Sequence, residues 1–269
     1  MNLLHTGQFY GQTNNTMLLN GLTLTDTEYT QDKVDWHYHE NAYFTFILQG
    51  NVIEGNKKEV YNCSAGDLLF HYWQEPHYNI KPKGFTRGFH IELGKRWLQH
   101  INLHLEYLAG STNIRNPGSK LLLYNIFKET KINDETSALS IESLLLQLLE
   151  QTMQDTHVSL HKKPVWVTRI REVLNDTFCE KLTLTGLSDI LEIHPTHLSR
   201  DFPKYFHCTL GNYIRKLKIQ KSLVLLPVKN KSLAAIAFEC GFADQSHFIR
   251  CFKNIVGVTP FTYRSLILG

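Results

Sequence analysis

The chain has 269 residues, a net charge of +3 and five cysteines. A chain of this length is typical of two domains, and an odd number of cysteines without CxxC pairs indicates reduced thiols rather than a disulfide framework. The sequence shows neither a signal peptide nor an apolar run that approaches the ~20 residues of a membrane helix. We therefore predict a soluble, cytoplasmic protein without a membrane partner.

The charge is distributed unevenly along the chain. Residues 1–156 hold 12 Lys and Arg against 17 Asp and Glu, whereas residues 157–269 hold 16 against 8. This asymmetry favours a polyanionic partner for the C-terminal part alone, and a basic solvated surface without a partner is the alternative. We therefore predict two domains, residues 1–156 and residues 157–269, of which the second binds a polyanion such as DNA.

The N-terminal part is rich in aromatic and β-branched residues. From about residue 16 to residue 93 such segments alternate with short turn signals, of which Gly50-Asn51 is the clearest. Many short strands at this spacing favour an antiparallel jelly roll or small barrel. The predicted fold class is therefore α+β in two domains, with an all-α domain after the β domain.

Histidines in this part are spaced as if to line a barrel. His37 and His39 lie two residues apart on a predicted strand, so their rings lie on one face, and His77 can join them. The segment is similar to cupins in two short motifs, which are His37-Tyr38-His39 ahead of Gly50 and Gly66-Asp67 with Pro76-His77. The resemblance implies a barrel that encloses a ligand.

The chain differs from metal-binding cupins at Tyr43, seven residues before Gly50, where those proteins carry a glutamate. A phenol suits hydrogen bonding to an organic effector, so we predict no cofactor and no resident metal. The predicted effector pocket consists of His37, His39, Tyr43 and His77, with Trp73 and His90 as further candidates. Two alternatives stay open: three imidazoles that hold zinc or iron, and histidines satisfied by their strand neighbours.

Two helical stretches follow, over residues 93–110 and 119–154. The second carries an apolar stripe too wide for one packing surface, formed by Ile141, Leu144, Leu145, Leu148, Leu149 and Met153. A contact with a second copy of the chain and burial on the barrel are both compatible with this stripe. Residues 155–164 lack periodicity and are predicted to be the linker.

The C-terminal part contains a first helix-turn-helix pattern at about residues 183–204. Thr183 is predicted to cap one helix and Pro195 to begin a second, with Leu198 and Phe202 buried. A long helix over residues 211–226 then separates this unit from the next. Basic side chains on that helix (Arg215, Lys216, Lys218 and Lys221) are predicted to be exposed.

The second helix-turn-helix pattern, at about residues 232–256, is the clearest structural pattern in the sequence. Ser232 is predicted to cap the first helix and Gly241 to end it, after which Asp244 caps a helix that Gly257 ends. The second helix buries Phe248, Phe252 and Ile255 and presents a polar and basic outer face. Such a helix can enter a major groove.

The C-terminal part resembles the AraC/XylS family of bacterial transcription regulators. The resemblance is carried by IAFECGF, DQSHFIRCFK and GVTPFTYR in the second unit and by PTHLSRDF in the first. The first unit departs from the family pattern, because Glu192 and His207 replace glycines and Pro203 falls inside the helix. Since glutamate and an internal proline disfavour the required backbone, we predict a first unit that is less well formed than the second.

The resemblance implies that both recognition helices contact double-stranded DNA. The predicted DNA-binding residues are Thr196, His197, Ser199, Arg200, Gln245, Ser246, His247, Arg250 and Lys253. Arg200 and Arg250 have the geometry to bridge guanine O6 and N7, and Gln245 can pair with adenine. We expect Lys204, Lys216, Lys218 and Lys253 to touch phosphates.

We therefore predict a sequence-specific transcription regulator rather than an enzyme. The resemblance implies an activator that contacts RNA polymerase, responds to a small-molecule effector in the barrel, and forms a homodimer through the helix before the linker. Two rivals stay open: a metal-dependent cupin enzyme with a fused DNA-binding domain, and an architectural protein that binds DNA of any sequence.

Overall fold

The computed structural model describes residues 1–103, 110–159 and 164–268. The chain forms two compact units, Met1–Met153 and Gln154–Gly269. The N-terminal unit is β-rich and the C-terminal unit helical, which confirms the predicted α+β fold class. Among the described residues, none of the helices combines the length and apolar character that a membrane crossing requires.

Two sheets build the N-terminal unit. A five-stranded sheet has the order β1-β4-β9-β6-β7, and a six-stranded sheet has the order β11-β8-β5-β10-β3-β2. The strands are β1 (Asn2–Leu4), β2 (Gln12–Leu19), β3 (Leu22–Glu28), β4 (Lys33–His39), β5 (Ala42–Gln49), β6 (Asn51–Asn56), β7 (Val60–Ser64), β8 (Leu68–His71), β9 (His77–Ile80), β10 (Arg87–Leu93) and β11 (Thr112–Asn113). All pairings are antiparallel except that of β1 with β4, which the sequence did not predict.

In the described part of this unit, three helices accompany the sheets. They are α1 (Lys95–His100), α2 (Pro117–Ile132) and α3 (Ser137–Ser159). Helix α2 packs on the six-stranded sheet, where Tyr124 meets Phe46 at 4.6 Å and Phe127 meets Phe89 at 5.2 Å between ring centroids. The predicted linker began too early, since α3 continues to Ser159; residues 104–109 and 160–163 lie outside the described part of the chain.

Helix α3 buries most of its predicted apolar stripe. Ile141, Leu145, Leu148 and Leu149 are buried, whereas Leu144 and Met153 are half-buried. Two further leucines face solvent, Leu139 at 73% exposure and Leu146 at 44%. The stripe therefore belongs largely to the core of the N-terminal unit.

The C-terminal unit is built from short amphipathic helices. They are α4 (Val165–Thr177), α5 (Leu184–Leu191), α6 (Pro195–Phe206), α7 (Leu210–Leu225), α8 (Leu233–Glu239), α9 (Gln245–Val256) and α10 (Pro260–Leu268). The predicted caps are confirmed, since Thr183 accepts from the Gly186 amide at 3.0 Å and Ser232 from the Ala235 amide at 3.1 Å. Asp244 accepts from the His247 amide at 2.7 Å.

Buried apolar side chains hold these helices together. Ten buried residues of α4 to α7, among them Leu198 and Phe202, form one core cluster, and Phe248 and Phe252 of α9 are also fully buried. The sequence misplaced one core position at the end of α9, because Val256 is buried where Ile255 was predicted.

The backbone of the first helix-turn-helix unit is regular despite its sequence. Glu192 and His207 both adopt the left-handed conformation, at φ 55° and 53°, and α6 runs without interruption past Pro203. The predicted disruption of this unit is therefore not seen in the backbone. This regular backbone requires two residues that have a Cβ atom to adopt the strained left-handed conformation.

Candidate functional site

The four residues predicted to form an effector pocket line one cavity of the N-terminal unit. His37 and His39 come from β4, Tyr43 from β5 and His77 from β9, and all four are buried. The free volume, including its opening to solvent, is about 470 Å³. Eleven other residues line it: Phe9, Tyr10, Tyr29, Gln31, Val34, Thr45, Val52, Glu54, Asn79, Lys81 and His90.

The predicted side chains contact one another directly. The Tyr43 hydroxyl lies 3.0 Å from His77 Nε2, and the ring centroids of His37 and His77 are 4.2 Å apart. His37 Nδ1 and His77 Nδ1 lie 2.9 Å and 3.3 Å from the backbone carbonyls of Asp35 and Glu75. Each carbonyl accepts a hydrogen bond from Nδ1–H, which leaves Nε2 of each ring as the atom available to the cavity.

A second group of rings closes another side of the cavity. Phe9, from the segment between β1 and β2, stacks on His90 with ring centroids 3.8 Å apart. His90 also lies 3.2 Å from the Thr45 hydroxyl and 3.3 Å from that of Tyr29. His90 was a predicted candidate, whereas the position of Phe9 depends on how the N-terminal segment folds over the strands.

Trp73 is the one pocket candidate that the structure places elsewhere. It lies in the turn after β8, is 38% exposed and does not line the cavity. The prediction was wrong because a turn residue has no fixed alternation of inward and outward faces.

Two buried polar residues beside the predicted ones were missed, of which Glu54 lines the cavity and His71 lies behind it in contact with Glu54. Glu54 on β6 and His71 on β8 are buried, and Glu54 Oε1 lies 3.1 Å from His71 Nε2 and 3.8 Å from His77 Nε2. Asn79 donates to the other Glu54 oxygen at 3.0 Å. The alternation of side chains along a strand could have indicated that Glu54 faces inward, because Glu54 shares one strand face with the apolar Val52.

Burial sets the protonation state of these groups. It lowers the pKa of His77 and of His90 to about 3, and it also lowers the pKa of His37, His39 and His71. Burial raises the pKa of Glu54 to about 8, an effect that the Asn79 hydrogen bond opposes. The imidazoles are therefore neutral at pH 7, and the cavity offers hydrogen bonds rather than imidazolium charges.

The predicted DNA-binding residues occupy the outer faces of α6 and α9. Eight of the nine are exposed, namely Thr196, His197, Ser199, Arg200, Gln245, Ser246, Arg250 and Lys253. His247 is half-buried, with its ring 5.5 Å from that of Phe242.

Arg200 is engaged by neighbours on its own helix. Its Nε lies 3.1 Å from Asp201 Oδ1, and its Nη2 lies 2.9 Å from His197 Nδ1. Asp201 also pairs with Lys204 at 2.8 Å. The first recognition helix therefore presents its basic groups already partnered by a carboxylate.

Lys218 does not occupy the exposed position predicted for a phosphate contact. It is half-buried on α7 and donates to the carbonyl of Gly241 in the turn between α8 and α9, with its ammonium group 5.7 Å from the centre of the Phe242 ring. Burial lowers the pKa of Lys218. This lysine fixes the turn of the second unit.

Comparison with known families matches both units. A model described as an AraC-like ligand binding domain matches residues 19–149, and a model described as a helix-turn-helix domain matches residues 187–265. Thirteen of the fifteen residues that line the cavity lie within the first match, which Phe9 and Tyr10 precede, and both recognition helices lie within the second.

Individual relatives match different lengths of the chain. The bifunctional transcriptional activator/DNA repair enzyme AdaA of Bacillus subtilis is 37% identical over 101 residues, which span 38% of this chain and about half (48%) of that protein. The Msm operon regulatory protein of Streptococcus mutans is 20% identical over an alignment of 274 positions, which covers 93% of this chain and 95% of that protein. The HTH-type transcriptional regulator YbfI of Bacillus subtilis is 28% identical over 224 residues, which cover 78% of this chain and 80% of that protein.

Among solved structures, ToxT from Vibrio cholerae is 12% identical and covers 91% of this chain and 99% of that chain, with a TM-score of 0.39. The two family models together match most of the chain, with the ligand-binding domain before the helix-turn-helix domain. The chain therefore belongs to the AraC family of DNA-binding transcriptional regulators.

Proposed function

We propose that this protein is a sequence-specific transcriptional activator whose DNA binding responds to a small molecule held in the N-terminal cavity. The observation that carries the proposal is the lining of that cavity, where aromatic rings surround neutral, buried hydrogen-bonding groups. Such a lining suits a compact, uncharged or weakly polar organic ligand. The ligand changes DNA binding only if it binds one arrangement of the two units more tightly than another.

Recognition of DNA in this proposal uses α6 and α9 in successive major grooves, roughly 34 Å apart along the duplex. Arg250 and Gln245 read guanine and adenine, and the neighbouring polar residues (Thr196, His197, Ser199, Arg200, Ser246, His247 and Lys253) make further base and phosphate contacts. The exposure of all of these residues except the half-buried His247 supports this assignment. Selection of binding sites from random duplexes tests it, and recovery of no common sequence would leave only an architectural role.

The sign of regulation is tested on a selected site placed upstream of a promoter. Transcription with purified RNA polymerase should rise when the protein is added, because an activator recruits polymerase by contact. A fall in transcript would replace activation with repression and leave the DNA-binding assignment intact. Mapping of genomic binding sites then identifies neighbouring genes, whose products indicate the class of effector.

The effector part of the proposal is tested by a compound library screened for a rise in melting temperature. A hit should also change affinity for the selected DNA site. Tyr43→Phe removes a hydroxyl from the cavity and should weaken the hit, whereas Trp73→Phe alters an exposed aromatic residue outside the cavity and serves as the matched control. Equal effects of both substitutions would place the ligand elsewhere.

Self-association completes the proposal. Leu139 and Leu146 lie seven residues apart on α3 and face solvent, as residues of one helix seam do. Sedimentation analysis should show a dimer that Leu139→Glu with Leu146→Glu dissociates. A monomer at all concentrations would remove this part alone.

A further inference from the structure

The buried residues Glu54, His71 and His77 bring three metal-ligating groups together from both sheets. Glu54 on β6 and His77 on β9 belong to the five-stranded sheet, and His71 on β8 belongs to the six-stranded sheet. One donor atom of each lies within 4.8 Å of the other two. We propose that these three residues form a zinc-type divalent metal site at the cavity wall.

The distances match what a small tetrahedral ion requires. Donor atoms about 2.0–2.2 Å from Zn²⁺ lie about 3.3–3.6 Å from one another. Glu54 Oε1 lies 3.1 Å from His71 Nε2 and 3.8 Å from His77 Nε2, which brackets that range. Two histidines and one glutamate, with a fourth position for water or ligand, are a zinc ligand set.

Two of the three donor atoms have unmet bonding capacity. Glu54 Oε1 and His71 Nε2 are both buried and, among the described residues, neither has a hydrogen-bond partner, although they lie 3.1 Å apart. Buried polar atoms without partners are costly and rare. A cation between them would satisfy both at once.

Groups around the three ligands hold them in orientation. Asn79 donates to Glu54 Oε2 at 3.0 Å, which leaves Oε1 directed at the two rings. His77 Nδ1 faces the carbonyl of Glu75 at 3.3 Å, so Nε2 is the atom left for a metal. Such outer partners fix the ring and carboxylate positions of metal sites.

A second cluster nearby consists of histidines alone and includes no carboxylate. His37, His39 and His77 also bring donor atoms within 4.8 Å of one another, but all three are neutral imidazoles. A buried dication beside neutral ligands alone has no counter-charge, whereas Glu54 supplies one once the metal displaces its carboxyl proton. The carboxylate therefore favours the site with Glu54 and His71.

Metal binding must replace one hydrogen bond. The Tyr43 hydroxyl lies 3.0 Å from His77 Nε2 and occupies the lone pair that the metal would use. Tyr43→Phe removes this competitor without removing a ligand. We therefore expect Tyr43→Phe to bind zinc several-fold more tightly than the wild type.

The test is titration of the full-length, chelator-treated protein with zinc chloride against a chromophoric chelator. The wild type should bind one equivalent more than Glu54→Gln or His71→Asn, each of which should lower affinity at that site at least about 100-fold. The matched control, His37→Asn, belongs to the other cluster and should retain the equivalent. All variants keep the five cysteines, so zinc bound by thiols cancels in the comparison.

Three outcomes would overturn the proposal. These are no difference in zinc content between the wild type and Glu54→Gln, loss of zinc in His37→Asn with retention in His71→Asn, and weaker zinc binding by Tyr43→Phe. The last measurement decides the question if the ligand variants fail to fold. None of these assays contains effector or DNA, so failure here leaves the proposed regulatory function untouched.

Discussion

The two helix-turn-helix units are built from the same parts but differ at the residues that end their helices. In the second unit Gly241 and Gly257 adopt left-handed backbone, at φ 71° and 84°, where no Cβ atom opposes it. In the first unit Glu192 and His207 adopt the same conformation. Each such residue costs roughly 1–2 kcal/mol relative to a right-handed one.

Packing offsets this cost in the first unit. Phe202 stacks on Phe206 with centroids 4.1 Å apart, and Tyr213 from α7 meets both rings at 5.6 Å and 5.0 Å. Arg169 on α4 lies 3.7 Å from the Glu192 carboxylate. Tertiary contacts can thus impose a turn that the local sequence disfavours. In the second unit, the glycines themselves favour the turn.

Gly241→Ala should produce the largest effect, because this turn has no room for a side chain. A Cβ atom there would overlap the carbonyl oxygen of Cys179 and would add strain at φ 71°. We expect a loss on the order of 2–4 kcal/mol in the free energy of unfolding of the C-terminal unit. Chemical denaturation measures it, with Glu192→Ala as the control that should change stability by less than about 1 kcal/mol. Equal losses would show that both turns depend on tertiary contacts alone.

Arg250→Ala should have the next largest effect, on DNA affinity. A bidentate contact to guanine contributes about 1–3 kcal/mol of discrimination. Within the described part of the chain, no carboxylate holds the exposed Arg250 in the way that Asp201 holds Arg200. Arg200→Ala should therefore relax sequence preference less. Binding-site selection with both variants measures the difference, and equal relaxation would show that the two units read DNA equally.

Lys218→Met should have a smaller effect that acts through the turn. The substitution removes the hydrogen bond to the Gly241 carbonyl and the cation–π contact with Phe242, so we expect a loss of about 1 kcal/mol in unfolding free energy. The salt dependence of DNA binding should stay unchanged. Lys216→Met, on the same helix, should instead lower the salt slope by about one phosphate contact. A reduced slope in Lys218→Met would make Lys218 a phosphate ligand.

Much of the architecture could be predicted because it depends on local spacing. Strand alternation placed His37 and His39 on one face, and the capping residues Thr183, Ser232 and Asp244 marked where helices begin. The predicted contact of His77 with these histidines came from motif resemblance rather than spacing.

What could not be predicted depends on contacts between distant segments. The approach of Glu54 to His71 requires the packing of two sheets, and the stacking of Phe9 on His90 requires the path of the N-terminal segment. Lys218 was misplaced because helical periodicity assigns a face but not the atom that the side chain reaches. None of these relations is encoded in residue spacing.

Glu192→Gly should have the smallest effect and a stabilising sign. Glycine removes the left-handed strain of roughly 1–2 kcal/mol, but it adds roughly 0.5–1 kcal/mol of backbone entropy to the unfolded chain and loses the exposed contact with Arg169, which contributes at most about 1 kcal/mol. We expect a net gain of a few tenths of a kcal/mol in the free energy of unfolding, measured by chemical denaturation. His207→Gly serves as the comparison and should gain more, because it loses no ion pair with Arg169. A loss of stability in both variants would mean that packing against α4 and α7, and not the turn backbone, decides where the first recognition helix lies.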